Sequence, residues 1–448
     1  MFWPLLTIIL VLLAAGPAVA QDTGYTPPAP PVDLDLGFDT RVRQVTIHNL
    51  LDFDSEEDSG FPGDAVFFRV RHRLSADLHF RQGFSLQSRF TTEWRKYLDP
   101  WETPQKTEII LDNLYLDVPK IADLPLGVRI GRQDIIRGEG FVLMDGGPGD
   151  GSRSIYHNAV LFMLDGDAIG FRRAEIDLFA IRNPKFDEFV VANDLDTKMV
   201  DKDETAFGVY MTQPVPMVGK NETYYIYKEE EPHDAPEPET KLHTLGTRST
   251  GDLPWDLRFG LEAAYQFGEH AEAQTGKKLA DHSSYGGYLW VSRSFLALLH
   301  PSIKLGTFYL SGDDPGTEDN EAWNPLFSRW PKWSELYIYT QINEGRGVAY
   351  WTNTMSLNAQ IGLKLSGSVG ATYTYHYLTA PEESEYGDTR GHLHAWKVSA
   401  TISDNISTHF LAERLDPGDV YPNPSGEGVG TKPKDDAYFL RWEVMFKM

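Results

Sequence analysis

Cysteine is absent from all 448 residues. That excludes a disulfide framework, a thiolate metal centre and a cysteine nucleophile. Long apolar runs are also scarce. Beyond the first twenty residues no stretch of 18 or more apolar residues occurs, so no helical membrane span is expected. A membrane β-barrel stays open, because there only alternate residues meet lipid. Bases are few, 41 Lys and Arg against 65 Asp and Glu, and the formal charge of −24 argues against nucleic-acid binding. What the chain does have is aromatic residues, 12% of the total, which marks a folded chain.

The first twenty residues, MFWPLLTIILVLLAAGPAVA, hold a mostly apolar run over 5–15 and end in Ala18-Val19-Ala20. This small-x-small ending predicts an export signal cleaved before Gln21, although the leading residues carry no Lys or Arg. The Pro-rich QDTGYTPPAPPVD over 21–33 reads as a short extended periplasmic tether.

From Asp33 onward the dominant period is two. Alternation bounded by Gly, Pro and Asp predicts about eighteen strands. They cover 34–48, 65–80, 84–97, 107–118, 126–135, 155–164, 168–182, 204–214 and 221–229. The second half adds 240–249, 254–267, 283–295, 300–311, 349–364, 367–379, 390–402, 406–414 and 436–447. Most reach ten residues, right for a tilted membrane strand. Short links such as Arg81-Gln82-Gly83 alternate with long ones at 49–64, 136–154, 183–203, 268–282, 312–348 and 415–435. An up-and-down antiparallel transmembrane barrel over 34–448, with one short-turn end and one long-loop end, explains this alternation; Greek-key crossings do not. In the last strand Tyr438, Leu440, Trp442, Val444 and Phe446 share one face, and Arg441, Glu443 and Lys447 the other.

The charges follow the same division. LDFDSEEDSGFPGD (51–64) and KEEEPHDAPEPET (228–240) contribute −6 and −5, so −11 of the −24 lies in two expected loops. They read as solvated surface, with divalent-cation binding as the other possibility. Arginines instead recur inside strands. In FFRVRHRLSADLHF (67–80), Arg69, Arg71 and Arg73 alternate with Phe68, Val70, His72 and Leu74. Arg41, Arg43, Arg89, Arg95, Arg129 and Arg173 sit in similar patterns. An arginine facing lipid at mid-membrane costs about 2–4 kcal/mol. All of them are therefore expected to face a lumen, with Asp77, Glu93, Glu175 and Asp177 as ion-pair partners. Eighteen strands leave a channel too wide for side chains alone to fill, so surplus arginine predicts a path for an anionic solute. The alternative is that arginines and carboxylates merely pair off and fill the interior.

Two stretches, GVRIGRQDIIRGEGFVLMDGGPGDGSRS (127–154) and SGDDPGTEDNEAWNPLFSRWPKWSELYIY (311–339), followed by FLAERLDPGDVY (410–421), resemble the alginate export family of outer-membrane proteins. The resemblance runs from about residue 34 to the C-terminus. It implies an eighteen-stranded monomeric barrel in a Gram-negative outer membrane, with a basic lumen passing a polyuronate outward by diffusion, without nucleotide hydrolysis. Periplasmic export machinery is an implied partner. By resemblance Arg132, in Gly131-Arg132-Gln133, joins the lumen or rim residues, although alternation with Val128 and Ile130 points it outward unless Gly131 bends the strand. Segment 312–348 is expected to gate the pore, with Trp323, Trp330 and Trp333 among its aromatics and Arg329 and Lys332 facing the path; packing against neighbouring loops is the alternative.

Catalytic signatures are missing: no G-x-S-x-G elbow and no H-E-x-x-H helix occur. GGPGDG (146–151) lacks the Lys-Ser/Thr of a phosphate loop, and His392 and His394 share a face without a third ligand in view. No cofactor is expected. The competing functional readings are a general or anion-selective porin, a secreted carbohydrate-binding β-protein and a barrel enzyme.

Overall fold

The computed structural model describes residues 32–50, 53–54, 64–99, 108–145, 156–193, 195, 200–216, 219–232, 237–328, 332–340, 350–422 and 433–448. The signal, the expected tether up to residue 31, most of 51–64 and the GGPGDG run lie outside them, whereas Val32 and Asp33 already belong to the first strand. The described strands begin with β1 (Val32–His48), β2 (Ala65–Phe80), β3 (Ser85–Asp99), β4 (Glu108–Val118), β5 (Leu126–Gln133), β6 (Ile135–Ile136) and β7 (Met144–Asp145). Next come β8 (His157–Asp165), β9 (Glu175–Asn183), β10 (Val190–Ala192), β11 (Asp203–Val215), β12 (Gly219–Glu231), β13 (Pro238–Leu253) and β14 (Leu257–Glu272). The remainder are β15 (Lys278–Ser294), β16 (Ser302–Leu310), β17 (Thr354–Lys364), β18 (Val369–Ser384), β19 (Gly387–Ser403), β20 (Ile406–Pro417) and β21 (Ala437–Lys447).

Each long strand pairs antiparallel with the next, and β21 returns to β1 with Asp39 opposite Lys447 and His48 opposite Tyr438. The result is a closed eighteen-stranded antiparallel barrel, as the alternation predicts. The three short strands are additions that period two did not reveal. β6 and β7 form a small ribbon within the β5–β8 link, and β10 joins the wall by pairing with β4. Closure removes every sheet edge, a requirement in a medium with no water to satisfy backbone groups.

Both chain ends of the barrel lie at the short-turn end, where Val32 faces Phe80 and Met448 exchanges backbone hydrogen bonds with Phe38. The outward face carries exposed Leu114, Ile130, Phe207, Leu245, Leu289, Leu305, Leu357, Phe410 and Trp442, more apolar surface than a protein in water tolerates. Tyr225, Tyr265, Tyr285, Trp396 and Tyr438 add aromatics to that face. His392 and His394 belong to this outward layer, bonded to the hydroxyls of Tyr375 and Tyr373 at 2.7 and 2.8 Å.

Several boundaries differ from the pattern. β9 begins at Glu175, because residues 166–174 form a 3-10 turn and a reversal, with Arg173 at φ 57°. The stretch 228–240 is not a free acidic loop: Lys228 to Glu231 continue β12 and Pro238 to Thr240 begin β13. Likewise 268–282 narrows to a link over 273–277. Strands such as β15, at 17 residues, exceed the ~9–11 that cross a bilayer. They continue into water beyond the long-loop interface, where acidic residues no longer signal a strand end.

Candidate functional site

The inward face of β1 and β2 presents an arginine ladder. Arg41 stands opposite Arg71 and Arg43 opposite Arg69, and Arg69 faces Arg95 on β3. Arg41, Arg43, Arg71 and Arg73 are all buried. Like charges directly opposite each other are destabilising, so carboxylates must hold the ladder. Glu93 lies 2.8 Å from Arg69, 3.5 Å from Arg41 and 4.0 Å from Arg95. Arg43 bonds Glu443 across the seam that closes the barrel, and Asp39 lies 3.3 Å from Arg71. Asp112 accepts from Arg89 at 3.0 Å, with Arg73 at 3.9 Å, and Asp134 takes the far end of Arg89 at 2.9 Å. Arg129 pairs with Asp117 at 2.9 Å beneath the Tyr115 ring.

Of the expected carboxylate partners, Glu93 plays that part. Asp177 instead pairs with Arg137, a residue of the β6–β7 turn, at 2.6 Å. Glu175 is exposed, and Asp77 stands opposite Gln87. Two expected lumen arginines lie elsewhere. Arg173 is exposed in the short β8–β9 turn, because its apparent alternation belongs to a reversal. Arg132 keeps the outward phase, opposite Leu114 and Asn158. Gly131 has φ 130° and its α-carbon is so close to β4 that a Cβ would stand 2.2 Å from the Leu114 carbonyl, yet the register passes through it unshifted. Arg132 is buried because segment 184–189 covers it. Its guanidinium donates to Asp187 and to the Leu111 carbonyl at 2.9 Å each, between the rings of Tyr156 and Phe189.

The ladder opens onto a cavity of 600 Å³ whose other side carries Lys397, His409, Glu413, Arg441 and Glu443 from β19–β21 and Lys332 to Glu335 from the β16–β17 loop. Eight Lys and Arg against four Asp and Glu line it. Arg71 is 3% exposed, and its Nε and Nη1 find no partner among the described residues. Lys397, Arg441, Glu413 and Glu443 were not singled out as site residues in the sequence. Arg441 and Glu443 do show the right phase, but only closure brings β21 against β1.

The β16–β17 loop folds inward. The Ser311-Gly312-Asp313-Asp314 corner starts it: the Ser311 carbonyl accepts from Trp323 N and Asn353 N, and Asp313 accepts from Glu321 N. Trp323, Leu326, Phe327, Leu336 and Tyr337 are then buried against inward wall residues such as Ile226, Leu242, Phe308 and Leu393. Trp333 stacks on Phe308 at 3.8 Å. The loop also packs on its neighbour after β5: Phe327 N donates to the Val142 carbonyl, Ser328 bonds the Gly140 carbonyl, and Lys332 Nζ lies 2.5 Å from the Glu139 carbonyl. Both expected packings thus coexist. Burial beside Arg248 and Lys304 lowers Lys332 to about 8, with desolvation the main cause and Glu139 and Glu262 opposing it. Glu413 clamps the segment, accepting from Ser334 Oγ and Leu336 N at 2.7 Å each. Arg441 holds Glu335 at 2.5 Å. Arg329 and Trp330 lie outside the described residues.

Facing this region, β11–β15 form a second polar wall with the opposite balance. Arg248 sits among Glu222, Glu262 at 3.8 Å and Glu139 at 3.1 Å. Lys228, fully buried, binds Glu204 and Glu230 at 2.7 and 2.8 Å and donates to the Leu326 carbonyl.

The sequence profile of the alginate export family matches residues 33–379. The chain belongs to the alginate export family. Among solved structures, OccK2 (OpdF) of Pseudomonas aeruginosa in complex with glucuronate is 11% identical, with 93% of this chain and 98% of that one covered at a TM-score of 0.56. OpdK of the same organism, with vanillate, is 9% identical over 92% and 98%, at 0.54. OccAB1 of Acinetobacter baumannii is 9% identical over 93% and 96%, at 0.56. At these identities the likeness is one of fold. No curated protein matches the chain. Family and fold together make this alginate export family member an outer-membrane channel of porin-like build.

Proposed function

We propose that this channel passes an anionic polysaccharide, a polyuronate of the alginate kind, along the arginine wall of its lumen. The observation that carries the reading is the cation surplus around the cavity, together with the two guanidinium nitrogens of the buried Arg71 that find no partner among the described residues. Like charges set opposite each other cost stability, and guanidinium forks match carboxylates in a bidentate way. An anion entering the cavity removes that cost. The glucuronate bound in the OccK2 structure is a single carboxylated sugar and supports a ligand of this class. Export signal cleavage, monomeric assembly and a periplasmic partner belong to the same proposal, as does a gating role for the 332–340 segment that roofs the cavity.

A general or anion-selective porin is the second reading, favoured by the porin-like neighbours. Planar-bilayer recording separates the two. The polysaccharide reading expects anion preference that collapses when Arg69, Arg71 and Arg73 become Ser, and current block by added polyuronate at concentrations where monomeric uronate has no effect. Equal block by monomer and polymer, residue for residue, supports the anion-selective porin. An unselective pore unchanged by the substitutions sinks the polysaccharide reading and leaves a general porin.

A further inference from the structure

We propose that the outer wall carries a binding site for one acyl chain of a phosphate-bearing diacyl lipid, at the seam where β5 leaves the barrel. β5 stops pairing with β4 at Arg132, and the upper half of β4 is covered instead by the backbone of Phe189 and by β10. Beside this splice lies a groove of 940 Å³ on the outward face, lined by Leu114, Ile130, Val160 and Phe207 and by the loop residues Phe186 and Phe189. Ile130, Phe207 and Phe189 are about half exposed, so the groove opens toward the hydrocarbon around the barrel. A chain already in hydrocarbon gains only van der Waals contacts there, so selectivity has to come from the polar end of the groove.

The upper end is polar. Arg132 opposite Asn158 and Arg182 opposite Thr205 stand one outward position nearer the long-loop end than Ile130 opposite Val160 and Phe207 opposite Ala180. Arg132 lines the groove at 5% exposure, and its Nη2 has no partner among the described residues. Asp187 at the same level is already engaged by Arg132 and by Phe189 N. An unsatisfied buried guanidinium donor above an apolar groove is the arrangement that takes a phosphate over a hydrocarbon chain. Glu188 and Asp203 on the rim disfavour a headgroup of high negative charge, so a single phosphate fits best.

The test is native mass spectrometry of the full-length barrel released from phosphatidylcholine nanodiscs doped with either phosphatidic acid or diacylglycerol of the same chains. The wild type is expected to retain one phosphatidic acid with a preference of about tenfold over diacylglycerol, the size of one charge-assisted hydrogen bond. Arg132→Gln is expected to lose most of that preference and still retain a chain. Ala180→Trp, which fills the groove from β9, is expected to lose both lipids while keeping the heat-modifiable gel shift of a folded barrel. Equal retention of the two lipids by the wild type, or unchanged retention in Ala180→Trp, overturns the site. If Ala180→Trp does not fold, an unchanged lipid preference in Arg132→Gln is the overturning result.

Discussion

The two polar walls of the lumen use the same residue types with opposite arithmetic. On β1–β3 and β19–β21 arginines outnumber carboxylates, face one another across the strands and border open space. On β11–β15 the two buried cations are surrounded by two or three glutamates: Lys228 lies between Glu204 and Glu230, and Arg248 among Glu139, Glu222 and Glu262. The second arrangement is what a buried charge requires, since an unpaired ion in the interior costs several kcal/mol. The first leaves donors over. Charge is neutralised where a loop covers the wall and left in surplus where the wall borders the open cavity.

That contrast can be broken by mutation. The largest effect expected is from Arg248→Ala, which strands Glu222 and Glu262 and should destabilise the barrel by about 3–5 kcal/mol. Arg71→Ser removes a charge from among Arg41, Arg43 and Arg73 and should change stability by less than about 1 kcal/mol. Urea unfolding in detergent, followed by heat-modifiable mobility, compares them; equal losses would erase the distinction between the walls. Next, Trp333→Ala empties the stacking site on Phe308 and should cost the docked loop about 3 kcal/mol. It should raise single-channel conductance, and a conductance equal to wild type would count against a gate. Third, Arg71→Ser should lower anion preference roughly tenfold, about 1.4 kcal/mol, whereas Glu222→Gln, beneath the loop, should alter it less than about twofold. Reversal potentials in a salt gradient decide the matter.

The smallest effect is a pH dependence. Docking of segment 332–340 lowers Lys332 from the ordinary lysine range to about 8, among Glu139, Glu262, Lys304 and Arg248 and near the Tyr288 ring. Between pH 8 and the free lysine value, the undocked segment holds a proton that the docked one has released. Docking therefore strengthens as pH rises, by at most about tenfold from pH 7 to pH 9. Loop-opening events in bilayer traces should become rarer over that interval, and Lys332→Met should flatten the trend.

Much of this was legible in the chain. β2 was marked out over its full length, because Phe68, Leu74 and Leu78 face outward while Arg69, Arg71 and Arg73 cannot. The outward phase of Arg132 was readable from Val128 and Ile130; the family resemblance pulled it toward the lumen, and the backbone kept to the alternation. The acidic run after Lys228 misled for the converse reason, since a strand that has left the membrane no longer needs apolar partners. Arg173 misled because a compact reversal can imitate period two for a few residues.

Sequence alone determined the strand count, the two-ended loop pattern and which face of each strand meets lipid, because the bilayer imposes that phase residue by residue. Tertiary structure decided what closure and loop folding bring together. β21 carries Arg441 and Glu443 to Arg43 across some 400 positions of chain, and the β16–β17 loop delivers Lys332 and Trp333 to the lumen. Segment 184–189 covers an outward arginine. Contacts of that range follow from packing and ring closure, and period two carries no information about either.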